Sequence, residues 1–184
     1  MKSFVKLITI NLVLLAAFSL QAEKSNVQSV SVVFETRLGN IEVEVYPGQA
    51  PLSSSSFLAA IDNNLFHDNK GAFYRAVHNE NDTGSPKIEV IQGGLTDRTK
   101  FLPPIPIETT QQTDILHKDG VISLARGGST GSGTTFFICI GDQPSLDYGG
   151  KRNPDGKGFA AFGKVTKGLD VVRRIQQMKT HENS

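Results

Sequence analysis

The stretch Val30-Ser31-Val32-Val33-Phe34-Glu35-Thr36-Arg37-Leu38-Gly39-Asn40-Ile41-Glu42-Val43-Glu44-Val45 carries the clearest structural signal in the chain. Val30, Val32 and Phe34 alternate with Ser31, Val33 and Glu35, and beyond the turn Leu38-Gly39-Asn40 the residues Ile41, Val43 and Val45 alternate with Glu42 and Glu44. A period of two sends successive side chains to opposite faces, so this is a β-hairpin with one face on a core and one in water. Outward from it, β-branched and aromatic runs between Gly, Pro and Asn punctuation predict strands over 72–76, 88–92, 121–125, 135–140 and 159–165. Two segments read as helices. Residues 51–61 open on Pro51 and place Phe57, Leu58 and Ile61 on one face. Near the C-terminus Leu169, Val172, Ile175 and Met178 recur at helical spacing, with Arg173 and Arg174 turned outward. Strands dominate, so the expected fold is mainly β, a barrel or sandwich whose open ends are covered by the two helices.

The 184 residues are 38% hydrophobic and 20% charged, with 19 basic against 18 acidic side chains. That composition fits one globular domain. The near-zero balance argues against nucleic acid as a partner, because such binding scales with the phosphates that clustered Lys and Arg neutralise. Cys139 is the single cysteine, which excludes an internal disulfide and a cysteine-built zinc site. At the N-terminus, Lys2 and Lys6 precede an apolar run from Leu7 to Leu20, and Gln21-Ala22 precede the charged Glu23-Lys24. Basic, apolar and small residues in that order read as a secretory signal peptide, and the run is shorter than the ~20 residues that span a bilayer. The expected organisation is a signal peptide over 1–22, a short extension over 23–29, one domain over 30–178 and a tail over 179–184. The product is expected in the periplasm of a Gram-negative source, as a monomer with no membrane association once the signal is removed.

Several chemistries fail on context. Gly127-Gly128-Ser129-Thr130-Gly131 matches the nucleophile elbow of serine hydrolases, but an elbow passes from strand into helix, and the next element here is a strand over 135–140. The segment is read as a glycine-serine loop. His67, His78, His117 and His181 share no metal-ligand spacing and read as loop residues. Residues 150–158 contain Gly156-Lys157 without the spacing of a phosphate loop. Asn81-Asp82-Thr83 fits a glycosylation sequon and marks the surface. Cys139, inside Phe136-Phe137-Ile138-Cys139-Ile140, reads as a small buried residue.

Three stretches remain: Phe73-Tyr74-Arg75, Val90-Ile91-Gln92-Gly93-Gly94, and 120–125 followed by the glycine-rich segment and Phe136-Phe137-Ile138. With Ala50-Pro51 leading to Phe57, and Phe162-Gly163-Lys164-Val165 near the end, they resemble the cyclophilin family of peptidyl-prolyl isomerases in the same order, over about 30–178. The resemblance implies a closed eight-stranded antiparallel β-barrel capped by two α-helices. It also implies isomerase activity on proline-containing peptides and unfolded exported proteins, with no metal or organic cofactor. The X-Pro bond has a rotation barrier of ~18–20 kcal/mol, and a donor aimed at the proline nitrogen lowers it as the amide twists out of conjugation. A guanidinium suits that task, since it stays charged and holds its donors in a rigid fork. Arg75 is the expected donor. By the same resemblance Phe137 floors the proline slot, Val90 and Leu146 wall it, and Gln92 bonds the substrate backbone. Ala125 lines the neighbouring groove, main-chain groups of Arg126 pair with the peptide, and Phe159 packs on the ring.

The chain departs from the family in five respects. A polar insertion over 78–87 separates Arg75 from Gln92. Glu89 replaces an apolar wall residue, Ser145 a large aromatic one, and Phe159 a histidine or tyrosine. The segment 143–158 is longer and rich in glycine. These changes make the rim more polar and point to altered selectivity. The alternative reading is a non-catalytic module that binds proline peptides on the same fold.

Overall fold

The computed structural model describes residues 29–67 and 70–178. The expected signal peptide, nearly all of the 23–29 extension, the 179–184 tail and His181 lie outside the described residues. The opening hairpin forms as its alternation requires. Strand β1 (Val30–Thr36) pairs antiparallel with β2 (Gly39–Val45), with Val32 opposite Val43 and Phe34 opposite Ile41. Ile41, Val43 and Val45 are buried, whereas Val30 and Val33 of β1 stay exposed. Next come helix α1 (Pro51–Asp62), β3 (Gly71–Val77), β4 (Val90–Leu95) and the short β5 (Ile105–Pro106). A one-turn helix α2 (Thr110–Thr113), β6 (Val121–Gly127), β7 (Thr130–Cys139), β8 (Ala160–Lys167) and helix α3 (Leu169–Gln176) complete the order.

All pairings are antiparallel, in the order β1-β2-β8-β6-β7-β4-β3 with β5 on β7. The sheet curls into a half-barrel and does not close, which corrects the expectation of a closed barrel. No ladder joins the end strands β1 and β3 among the described residues. The two strands touch through core side chains: the Phe34 and Phe73 rings meet edge to face with centroids 6.0 Å apart, and both pack on Phe136. At the other end of β3, Gln176 Nε2 of α3 donates to the Val77 carbonyl at 3.0 Å.

Helix α1 covers one side of the core. Phe57, fully buried, contacts Phe34, Phe136 and Phe162 with centroids 6.2, 5.6 and 5.1 Å away. The helix begins on Pro51 after Ala50, which has no side-chain oxygen to accept from the first-turn N–H groups. Glu108 substitutes from 55 residues away: its carboxylate accepts from Leu52 N at 3.1 Å and from both the N and Oγ of Ser53 at 2.6 Å. The capping box of α2, in which Gln112 Oε1 accepts from Thr109 N at 2.8 Å, fixes the chain beside Glu108. A carboxylate there also meets the positive end of the helix dipole. Glu108→Ala is therefore expected to cost about 1–2 kcal/mol in urea unfolding, and an unchanged midpoint would contradict this capping role.

The glycine-rich segment is not a flexible loop. From Thr130 onward it is strand β7, and only Gly128 and Ser129 turn the hairpin between β6 and β7. Gly133 is needed because α1 passes over it: its N donates to Ser56 Oγ at 2.9 Å, and a Cβ there would stand 2.2 Å from the Ser56 carbonyl. Glycine marks close backbone approach at this point. The short β5 and α2 have no counterpart in the sequence reading, being too brief to show a period.

Candidate active site

Strand register assembles the site. Arg75 of β3 lies opposite Gln92 of β4, Gln92 opposite Phe137 of β7, and Phe137 opposite Ser123 of β6. Directly opposed residues in antiparallel strands project to the same face. One row across four strands therefore carries a cation, an amide, an aromatic ring and a hydroxyl. The neighbours Phe136 and Ile91 face the other way, into the main core under α1, while Phe137 and Val90 join a separate cluster with Val77, Ile88, Cys139 and Leu146. Sheet pleating thus settles which of Phe136 and Phe137 belongs to the core.

A β-bulge shapes the cationic end. Phe73 pairs with Gly93 and Arg75 with Gln92, leaving Tyr74 as the extra residue. Bulges re-aim side chains, and here Tyr74 and Arg75 both reach Gln92. Arg75 Nη1 donates to Gln92 Oε1 at 3.3 Å, and Gln92 Nε2 donates to the Tyr74 hydroxyl at 3.2 Å. Each end of the amide has a partner, so its orientation is set. Burial raises the Tyr74 phenol above its ordinary value, opposed by the Gln92 hydrogen bond and by the charges of Arg98 and Arg75. Arg75 itself is exposed. The sequence reading missed Tyr74, because a bulge leaves no mark in the period of β3.

The expected proline slot lies beside this row and is tightly packed. Phe137, Val90 and Leu146 are 5%, 3% and 0% exposed. Half-buried Phe159 and Ala125 border them. The Phe159 ring stands edge-on to Phe137 with centroids 5.2 Å apart and an interplanar angle of 89°. Cys139 is buried in the same cluster, and burial pushes its thiol well above the ordinary value, in keeping with an inert small residue.

His117 lies in the loop between α2 and β6, as its sequence context suggests, and it is buried there. Its buried ring stacks on Phe137 at 5.9 Å and 16°. Nδ1 lies 2.7 Å from Asp147 Oδ1 and Nε2 lies 3.0 Å from Ser123 Oγ. Phe137 is thus backed by a side chain whose two nitrogens are both satisfied, which fixes the ring behind the slot. Nothing in the sequence announces this role, since Asp147 stands 30 residues from His117.

Arg126 spends its side chain locally. Its Nε donates to the Gly128 carbonyl and Nη1 to the Gly158 carbonyl, both at 2.6 Å. The guanidinium also pairs with Asp155 and lies 6.0 Å from the Phe159 ring centroid. The Arg126 hydrogen bond, reinforced by the Lys157 N–H, holds the Asp155 carboxyl below its usual range. A cavity of about 790 Å³ opens beside the cationic end of the row and is lined by Arg75, Gln92, Ala125 and Arg126 among others. Phe137, Val90, Leu146 and Phe159 lie outside that cavity; Phe159 borders a smaller one of about 280 Å³ shared with Arg126.

The insertion over 78–87 folds away from both cavities, whose linings include none of its residues. Asp82 anchors it: the carboxylate accepts from Arg152 Nη1 and Nη2 at 2.8 Å, from Ile88 N at 2.8 Å and from Gly84 N at 3.0 Å. Gly84 gives the guanidinium room, since a Cβ there would fall 2.0 Å from Arg152 Nη1. Ser129 sits in the hairpin turn between two strands, without the strand-to-helix step of an elbow. No group of three metal-ligating side chains converges among the described residues, and none of their helices is long and apolar enough to cross a membrane.

Comparison with known proteins gives a consistent result. Residues 31–184 match the family described as "Cyclophilin type peptidyl-prolyl cis-trans isomerase/CLD". A peptidyl-prolyl cis-trans isomerase of Acinetobacter baylyi is 32% identical over 152 residues, covering 81% of this chain and 73% of that protein. Peptidyl-prolyl cis-trans isomerase A of Dickeya dadantii is 30% identical over 155 residues, covering 83% and 74%. The crystal structure of a cyclophilin type peptidyl-prolyl cis-trans isomerase of Cryptosporidium parvum superposes with a TM-score of 0.65 at 19% identity, covering 84% of this chain and 88% of that one. The same protein in the presence of the dipeptide Ala-Pro superposes with a TM-score of 0.64 at 18% identity, covering 83% and 89%. With a family match that runs through every described strand, the chain belongs to the cyclophilin-type peptidyl-prolyl cis-trans isomerases.

Proposed function

We infer that the chain is an exported prolyl isomerase in which Arg75 donates to the prolyl nitrogen, Gln92 aligns the substrate backbone, and the proline ring enters beside Phe137. The observation that carries this reading is the row Arg75, Gln92, Phe137 on one face of adjacent strands. In the planar amide the nitrogen lone pair is delocalised into the carbonyl and is a poor acceptor; at the twisted geometry it localises on nitrogen. A guanidinium hydrogen bond therefore grows as the barrier is climbed, and each ~1.4 kcal/mol gained only there multiplies the rate about tenfold. No covalent bond breaks, so the reaction asks for no metal or organic cofactor. Val90, Leu146 and Phe159 complete the apolar surroundings of the ring, and Ala125 with the main chain of Arg126 borders the groove for the residues joined to it. The Ala-Pro dipeptide used with the Cryptosporidium protein is the class of ligand this reading requires. Export is supported by the basic, apolar and small-residue order over 1–22.

The test is a protease-coupled isomerisation assay with a proline tetrapeptide. Catalytic amounts of the chain are expected to accelerate the slow cis-to-trans phase. Affinity for the peptide without acceleration would overturn the reading in favour of a binding module, a result that the tight packing around Phe137 makes worth measuring.

A further inference from the structure

The Arg126 side chain ties two turns together. Among the described residues Arg126 alone lines both cavities, yet its side chain is only 5% exposed. Nε donates to the Gly128 carbonyl of the β6–β7 turn, Nη1 donates to the Gly158 carbonyl, and the guanidinium pairs with Asp155. Glycines with positive φ stand at both ends of this tie, Gly128 at 69° and Gly156 at 65°, and neither has an atom within 4 Å of the place a Cβ would occupy. The tie therefore joins two turns that face open space. Asp155 belongs to the glycine-rich segment 143–158, in which the chain departs from its family.

What the tie holds is Phe159. The guanidinium carbon lies 6.0 Å from the centroid of that ring, whose aromatic neighbours Phe137 and His117 are 5.2 and 6.4 Å away. His117 is fixed by Asp147 and Ser123, and Leu146 is fully buried. The Phe159 backbone is anchored as well, its N donating to the Leu146 carbonyl at 2.9 Å. Phe137 and Val90 are so enclosed that a proline ring finds no surface there until a neighbouring side chain moves. Of the two half-buried residues that border the slot, Ala125 has no rotamer to change, so the Phe159 ring is the one that can swing. We propose that Arg126 and Asp155 are positioning residues that keep Phe159 closed on the proline slot, and that the substrate ring enters when their ion pair parts. The proposal rests on the isomerase reading above and adds control of entry to it. A slot open part of the time binds in proportion to its open fraction, so weakening the tie tightens apparent affinity and leaves the chemical step alone.

The experiment measures kcat and KM by NMR exchange on one proline peptide for the wild-type chain, Asp155→Asn and Asp155→Glu, together with the NOE between the Phe159 and Phe137 rings. Asp155→Asn keeps the shape and removes the charge. It is expected to lower KM about fivefold, as loss of a partly exposed ion pair allows, with the gain in KM and not in kcat, and to weaken the NOE between the rings. Asp155→Glu restores the carboxylate and is expected to return KM towards the wild-type value. An unchanged KM in Asp155→Asn overturns the proposal, and so does a raised one, which would make the closed arrangement the productive one. Failure of the wild type to accelerate isomerisation would instead contradict the isomerase reading. The same fivefold change is then expected in the dissociation constant of an Ala-Pro peptide by titration calorimetry, and equal constants for the wild type and Asp155→Asn overturn the proposal.

Discussion

Arg75→Ala is expected to lower kcat/KM for a proline peptide about a hundredfold while the unfolding transition stays where it is. The side chain is exposed, and its single hydrogen bond is to Gln92 at 3.3 Å, so its loss removes little from the folded state. In the twisted amide the same guanidinium makes a charge-assisted bond to the nitrogen lone pair. Such bonds are worth about 1.5–3 kcal/mol, or about ten- to a hundredfold and somewhat more in rate. The loss is expected mainly in kcat, because the bond strengthens only as the amide leaves planarity. Arg75→Lys retains the charge but not the planar fork, so its rate is expected between those of the wild type and alanine. Full turnover by Arg75→Ala in the protease-coupled assay would remove the central residue of the mechanism.

Arg152→Ala is expected to destabilise the chain by about 3 kcal/mol in urea unfolding at neutral pH. The Asp82 side chain is 2% exposed and that of Arg152 is 14% exposed. Removing the cation leaves a buried carboxylate with only the Gly84 and Ile88 N–H groups as donors, and breaking one side of a buried pair costs about 3–5 kcal/mol. Burial alone would raise the Asp82 carboxyl, but the Arg152 hydrogen bonds, the two backbone N–H groups and the Arg152 charge outweigh it and lower the value from 3.8 to about 2. Because the folded value lies below the unfolded one, Asp82 stabilises the fold above about pH 4, and this contribution fades as pH falls towards 2. The shift corresponds to roughly 2 kcal/mol. Asp82→Asn is accordingly expected to lose less stability than the wild type between pH 5 and pH 2. Parallel acid limbs for the two proteins, or an unchanged neutral midpoint for Arg152→Ala, would show that the pair does not anchor the insertion.

How much of this could be read from the sequence depends on the range of the interaction. The hairpin of β1 and β2 was legible because Ile41, Val43 and Val45 declare their face by period alone, and α1 was legible because Pro51 marks its first turn. Arg75, Gln92 and Phe137 were legible as a set through family resemblance. Their shared face was not, since it depends on register between strands far apart in sequence. Closure of the barrel was misjudged for a similar reason: whether β1 meets β3 through hydrogen bonds or through the rings of Phe34 and Phe73 is decided by packing. The glycines at 131 and 133 suggested flexibility, whereas the neighbouring backbones show that Gly133 serves close approach to α1. Glu108 at the start of α1 and His117 behind Phe137 depend on partners 55 and 30 residues away, beyond the reach of any local pattern.

The most direct test of the account is a crystal structure of the chain bound to an Ala-Pro peptide. The account predicts the ring seated on Phe137 next to Phe159, with an Arg75 Nη within hydrogen-bonding distance of the prolyl nitrogen. A ring seated against Phe101 and Leu102 instead, with Arg75 turned away from the prolyl bond, would contradict it.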